Sequence, residues 1–99
     1  MNAGNGKNDA LPKAGTSTVF LLFARFNRET IPMVEIAENY LGMKEKYARE
    51  KFNRGEFPIP AFRTYDSPNA PIMVRIQDLA TYLDEQATKA RAAWGKAAI

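Results

Sequence analysis

The chain has 99 residues, which is enough for one small domain with a single hydrophobic core. It contains neither cysteine nor histidine, so disulfides, thiolate metal sites and imidazole acid–base catalysis are excluded. Lys and Arg number 14, and Asp and Glu number 11, which gives a net charge of +3. Because this excess is small, the place where positive charge is concentrated matters more than the total.

The termini and the hydropathy of the chain predict its compartment and domain limits. No apolar run approaches the roughly 20 residues that span a bilayer, and the N-terminus lacks the apolar core of a signal peptide. We therefore expect a cytoplasmic protein. Residues 1–15 are rich in Gly, Asn, Ala and Lys, which predicts a disordered tail. The expected domain is 16–94, followed by a frayed C-terminus, 95–99.

The first folded segment is "TSTVFLLFARFN", where Ser17 or Thr18 can serve as the N-cap. Its apolar residues recur at helical spacing, at Val19, Leu22, Phe23 and Phe26. This spacing favours a short helix, although the aromatic and β-branched content also suits a buried strand. The following "ETI" is predicted to be extended, because Ile31 precedes a proline.

Two helices joined by a short turn come next. Pro32 suits the first turn of a helix, and Gly42 suits its C-terminal end. One apolar stripe lies between them: Met33, Ile36, Ala37, Tyr40 and Leu41. The second helix, "KEKYAREKFNR", turns Ala48 and Phe52 inward and ends at Gly55. Two short helices with a glycine in the turn are typical of a helix-turn-helix.

The rest of the chain predicts a hairpin and a closing helix. Two prolines hold "EFPIP" extended, and "AFRTYD" and "PIMVRI" are predicted strands joined by the turn residues of "SPNA". The last helix has Asp78 in its first turn. Its apolar face, which is expected to pack on the core, is formed by Leu79, Ala80, Leu83 and Ala87. The predicted fold is therefore α+β, a winged helix-turn-helix. It has a short N-terminal helix or strand, two helix-turn-helix helices, a two-stranded β-hairpin wing and a C-terminal helix.

The second helix concentrates the positive charge, with five positive and two negative side chains within residues 44–54. Arg and Lys can donate to guanine O6 and N7, Asn can pair with adenine, Glu can accept from cytosine N4, and the cations can neutralise phosphates. The candidate DNA contacts are Lys44, Lys46, Tyr47, Arg49, Glu50, Asn53 and Arg54. The same composition also fits a solvated helix face. Tyr47 either contacts DNA or packs beside Phe52.

The predicted hairpin carries hydrogen-bond donors near its tip, as a wing that reaches the DNA backbone or minor groove would require. The candidate contacts there are Arg63, Tyr65, Ser67 and Asn69. Alternatively, the hairpin only covers the core. The order of helix, turn, basic helix, hairpin and closing helix favours the DNA-binding interpretation.

Three blocks of the sequence, "IPMVEIAENYLGM", "FNRGEFPIPAFR" and "VRIQDLATYLD", resemble the pyocin activator (PrtN) family. The resemblance extends over about Val19 to Ala87. It implies a winged-helix activator of bacteriocin or prophage genes, associated with the nucleoid, with Lys44 to Arg54 as the recognition helix and Arg63 to Asn69 as the wing. The implied partners are double-stranded DNA and RNA polymerase, and the protein is expected to act as a homodimer or as a cooperative array on DNA.

Other functions fit the same residues, and the sequence does not separate an excisionase-like role from activation. An excisionase-like factor would bend DNA with the same surface, and a protein-binding adaptor or phage-encoded inhibitor would replace the basic face with an acidic or apolar one. Catalysis is not expected, because the adjacent carboxylates of Asp84 and Glu85 point to different sides of a helix. No motif for a cofactor or a metal is present in the sequence.

The C-terminal "ARAAWGKAAI" has two interpretations. As an apolar helix end it is a dimerisation element. Alternatively, Trp94 caps the core of its own domain.

Overall fold

The computed structural model describes residues 17–98, with side chains described from 17 to 95. The predicted tail, 1–15, lies outside the described residues. The helices are α1, Thr18–Phe26; α2, Met33–Tyr40; α3, Glu45–Asn53; and α4, Ile76–Ala98. The strands are β1, Thr30–Pro32; β2, Phe62–Arg63; and β3, Ile72–Arg75. The predicted α+β class is confirmed, and the order of the elements is compatible with a winged helix.

The sheet is antiparallel and has the strand order β1-β3-β2. β3 pairs with β2 as the predicted hairpin, with Phe62 opposite Met73, and on its other side it pairs with β1, with Ile31 opposite Val74. The predicted two-stranded hairpin is therefore present, and the extended segment at Ile31 adds a third strand to it. The sequence showed that Ile31 is extended, but the strand that it pairs with lies more than 40 residues away, and local pattern does not reveal such a pairing.

β2 is shorter than the predicted strand "AFRTYD". It ends at Arg63, and the chain then turns through Ser67, whose amide donates to the Tyr65 carbonyl at 2.9 Å. The turn closes where the amide of Ala70 donates to the Ser67 carbonyl at 3.1 Å. Because these backbone groups are paired within the turn, they are not available for a longer ladder, and the strand has only two residues.

The N-terminal segment is a helix, which resolves the choice between helix and strand. Ser17 is its N-cap and accepts a hydrogen bond from the amide of Phe20 at 3.2 Å. The helix ends at Asn27, which has a left-handed φ of 56°. Its predicted inward face is only partly correct, because Leu22 is buried and Phe26 packs on the core whereas Val19 and Phe23 are exposed.

The two helices of the predicted helix-turn-helix follow directly after β1. Pro32 is the N-cap of α2 and the last residue of β1, so it precedes the first turn in which we expected it. Met33, Ile36 and Ala37 are buried, as the stripe predicted, with Tyr40 and Leu41 half-buried beside them. Gly42 follows with a left-handed φ of 65°.

α3 ends in a Schellman motif. Gly55 has a φ of 72° and its amide donates to the Phe52 carbonyl at 3.0 Å, while the amide of Glu56 donates to the Lys51 carbonyl at 2.8 Å. The predicted stop at Gly55 is therefore confirmed. Beyond Gly55, Ile59 is buried and Phe57 packs at the edge of the core. The segment 56–60 therefore lies beside the C-terminal end of α3.

The core lies between the sheet and the helices. It is formed by Leu22, Ile31, Met33, Ile36, Ala37, Ala48, Ile59, Ile72, Val74, Ile76, Leu79 and Ala80. α1 packs on α4, and α2 packs on α3 and β3. The core therefore fixes α3 through α2, the helix on which it packs.

α4 begins where the amide of Ile76 donates to the Glu29 carbonyl at 2.9 Å, and Asp78 lies in its first turn as predicted. Its predicted apolar face is buried only as far as Leu83, because Ala87 is exposed. Trp94 is 77% exposed, so the interpretation that it caps the core was wrong. The helix continues to Ala98, and the fraying of 95–99 stays a prediction. Among the described residues, no helix combines the length and the apolarity needed to cross a membrane.

Candidate nucleic-acid interface

The outward face of α3 is set by the burial of Ala48, which has no exposed surface. Because an α-helix advances about 100° per residue, Lys46, Glu50 and Asn53 lie roughly opposite Ala48. All three are exposed, and together with Glu45 and Arg49 they line one shallow surface depression. The prediction that these side chains share an outward face is therefore consistent with the structure.

The charged side chains of this face are partly paired with one another. The Arg49 guanidinium contacts the Glu45 carboxylate at 2.8 Å, one helical turn away, and Arg54 contacts Glu56 at 3.1 Å. The groups are about half exposed, and such pairs contribute at most about 1 kcal/mol each. A phosphate or a base edge can therefore replace Glu45 as the partner of Arg49 at low cost.

Lys44 and Lys46 differ from the two arginines. Both are exposed, and within the residues that the structure describes no acidic group lies within 4.0 Å of either ammonium. Lys44 is the N-cap of α3, and Lys46 lies in its first turn. The N-terminal end of α3 thus offers two ammonium groups together with the positive end of the helix dipole.

Tyr47 lies at the side of the same face. It is 48% exposed, and the Lys51 ammonium lies 5.4 Å from the centroid of its ring. Its ring is therefore neither buried beside Phe52 nor free of contacts. It supplies a half-exposed aromatic surface with an adjacent positive charge.

The tip of the β2–β3 hairpin exposes two of the predicted contacts. Tyr65 is 58% exposed, and Asn69 is also exposed. Ser67 has a different position: its hydroxyl accepts a hydrogen bond from the Asn69 amide at 3.1 Å, which helps to shape the turn. The four hairpin residues predicted from the sequence therefore divide into exposed groups and groups that build the loop.

Arg63 is one of the residues that build the hairpin loop. Its Nη1 atom donates to the carbonyl oxygens of Pro68 and Ala70, each at 3.0 Å, across the hairpin loop. The guanidinium carbon also lies 5.5 Å from the centroid of the Phe52 ring on α3. Arg63 therefore connects the hairpin loop to the helix that carries the outward polar face.

Sequence reasoning missed three participants in this region. Glu45 and Glu56 bind the arginines of α3, and Phe52 lies beneath Arg63. The spacing of Glu45 and Arg49, four residues apart on a helix, was a sufficient signal for the first pair. The contact between Phe52 and Arg63 has no such signal, since it depends on how the chain returns after the prolines.

Comparison with known proteins identifies a family. The family model described as pyocin activator protein PrtN matches residues 18–90, which span α1 to most of α4. No curated protein and no solved structure gives a significant match. The family is one of regulatory activators rather than of enzymes. The match covers most of the chain, and the chain therefore belongs to the pyocin activator protein PrtN family.

Proposed function

We propose that this protein is a transcription activator that binds double-stranded DNA, with α3 in the major groove and the β2–β3 hairpin on the adjacent backbone or minor groove. The observation that carries the proposal is the outward face of α3, where Lys46, Arg49 and Asn53 are all exposed on a helix held to the core by Ala48. Family membership supports the activator role. Major-groove binding by such a helix needs polar groups on one face, which α3 provides.

The side chains of α3 divide by chemistry. Asn53 can pair with adenine, Arg49 can donate two hydrogen bonds to guanine, and Glu50 can accept from cytosine N4. These three specify sequence. The cations at the ends and sides of the helix, Lys44, Lys46 and Arg54, neutralise phosphates and position the helix.

The hairpin contributes through its tip. Tyr65 and Asn69 extend from the loop and contact sugar or phosphate, while Ser67 and Arg63 keep the loop in shape. Tyr47 adds a half-exposed ring beside the groove. A loop shaped by its own side chains presents these groups with little loss of conformational entropy on binding.

DNase I footprinting on DNA from upstream of candidate target genes tests the proposal. We expect one protected promoter site, which Asn53→Ala weakens and which Gln77→Ala, an exposed change at the start of α4, leaves unchanged. Activation further requires contact with RNA polymerase, so the protein should recruit polymerase to that promoter. Absence of any protected site would contradict DNA binding. Adjacent footprints with strong bending and no recruitment would instead favour an excisionase-like role.

A further inference from the structure

The apolar face of α4 continues beyond the part that its own domain covers. Ala80, Leu83, Ala87, Ala90 and Trp94 follow one another at alternating spacings of three and four residues. This repeat averages 3.5 residues and is the seam pattern of paired helices. Ala80 is buried and Leu83 is half-buried within the domain, whereas the three later members of the seam are exposed.

The boundary between the covered and the exposed part of the seam lies near Asp84. There the hydroxyl of Thr18, the first residue of α1, donates to the Asp84 carboxylate, so α1 packs along the first half of α4. α1 itself exposes large apolar side chains, among them Phe20 at 62% and Phe23 at 47%. An exposed seam that ends in a tryptophan, next to a helix with exposed phenylalanines, is typical of an interaction surface.

The charges of α4 indicate which partner fits. Asp84 and Arg91 lie seven residues apart and flank the seam on the same side, with the acidic residue nearer the N-terminus and the basic residue nearer the C-terminus. If a second copy of α4 lies antiparallel to the first, Asp84 of each copy faces Arg91 of the other. In a parallel pair the flanking charges of the two copies would lie on opposite sides of the seam, so no such pairs between Asp84 and Arg91 would form. The surface is therefore complementary to itself under a two-fold rotation.

We propose that the protein forms a homodimer through antiparallel pairing of the exposed seam of α4. In this register Ala87 of one copy lies against Ala90 of the other, and the small side chains let the helices approach closely. Trp94 of each copy packs on Leu83 of the second copy, beside α1. The dimer presents two copies of α3, so a DNA site would contain two half-sites related by the same two-fold axis.

Sedimentation equilibrium of the full chain in the absence of DNA tests the dimer independently of DNA binding. We expect the mass to rise with concentration from 11.1 kDa to twice that value. Trp94→Ala should raise the dissociation constant about tenfold or more, since buried tryptophans dominate many interfaces. Because Trp94 is exposed in the single chain, this change should leave its folding intact, which circular dichroism checks.

Charge exchange tests the antiparallel register. Asp84→Arg and Arg91→Asp should each weaken the dimer, and the double variant should restore most of the lost affinity. Glu85→Arg is the matched control, because it makes the same charge change one residue further around the helix, away from the seam. A chain that stays monomeric at all concentrations, or a double variant no better than the single ones, would overturn the proposal.

The fluorescence of Trp94, the single tryptophan of the chain, separates a second copy from a covering segment of the same chain. Pairing predicts an emission maximum that shifts to shorter wavelength as the concentration rises and returns on dilution. An emission maximum at short wavelength in a chain that sediments as a monomer would show that residues of the same chain cover Trp94, and would refute the dimer seam.

Discussion

The guanidinium of Arg63 lies 5.5 Å from the ring of Phe52, so one contact joins the β-hairpin to the α3 helix. The same guanidinium donates to the carbonyls of Pro68 and Ala70 at 3.0 Å. Through these contacts Arg63 sets the position of the hairpin relative to α3. Both elements carry proposed DNA contacts. Removing the Arg63 side chain should therefore both weaken DNA binding and destabilise the hairpin loop.

Arg63→Ala should lower the free energy of unfolding by about 1 to 3 kcal/mol, because the carbonyls of Pro68 and Ala70, the second of them part-buried, lose a charged donor. It should also weaken DNA binding with little change in sequence preference. Thermal denaturation and fluorescence anisotropy measure the two effects. Tyr65→Ala is the control, since it removes an exposed tip residue and should weaken binding without lowering stability. Equal stability of Arg63→Ala and the wild type would contradict the role of Arg63 in the loop.

Arg49→Ala should cost about 1 to 3 kcal/mol on the cognate site and relax base preference, because a bidentate contact to guanine would be lost. Anisotropy titrations with cognate and random duplexes measure this difference. If the losses on the two duplexes are equal, Arg49 contacts the backbone instead.

Glu45→Gln should strengthen DNA binding, because it removes a negative charge and releases Arg49 from its ion pair at 2.8 Å. The stability of the free protein should change by at most about 1 kcal/mol, as expected for an exposed pair. The same titrations at low salt measure the affinity. Weaker binding by Glu45→Gln would show that Glu45 orients Arg49 for the DNA rather than competing with it.

DNA affinity should fall steeply as salt concentration rises, because each neutralised phosphate releases counterions and contributes about −0.9 to the slope of log K against log salt. Lys46→Ala should make that slope about 1 unit less negative, whereas Asn53→Ala should lower affinity without changing the slope. A wild-type affinity that stays constant from low to moderate salt would contradict the phosphate contacts.

Gly55→Val should destabilise the protein by about 1 to 2 kcal/mol, because a β-branched residue is strained at a φ of 72°. A Cβ atom at this position would meet no neighbour within 4 Å, so the expected cost comes from the backbone conformation rather than from a clash of that atom. Gly55→Asn should lose less stability, since asparagine tolerates this conformation better. Urea denaturation measures the stability of both variants. Equal stability of the valine variant and the wild type would show that the end of α3 does not depend on a left-handed conformation at residue 55.

Much of the fold could be predicted because its signals are local. The stripe through Met33, Ile36 and Ala37 and the stop at Gly55 follow from helical spacing and from backbone geometry that glycine alone adopts easily. The outward position of Lys46 and Asn53 follows from the burial of Ala48, so the helix part of the candidate site could also be predicted. The division of the hairpin residues could not, since the sequence does not show that Arg63 spans the loop.

Four features follow from the sequence alone: the α+β class, the two consecutive short helices α2 and α3, the charged outward face of α3, and the family. Each depends on residues close together in the chain or on a pattern along it. The three-dimensional packing was needed to show that Ile31 pairs with Val74, that Arg63 contacts Phe52 and that Trp94 is exposed. These contacts join segments distant in sequence, or depend on where α1 stops covering α4. The packing of the whole chain determines these contacts, and local propensities do not encode that packing.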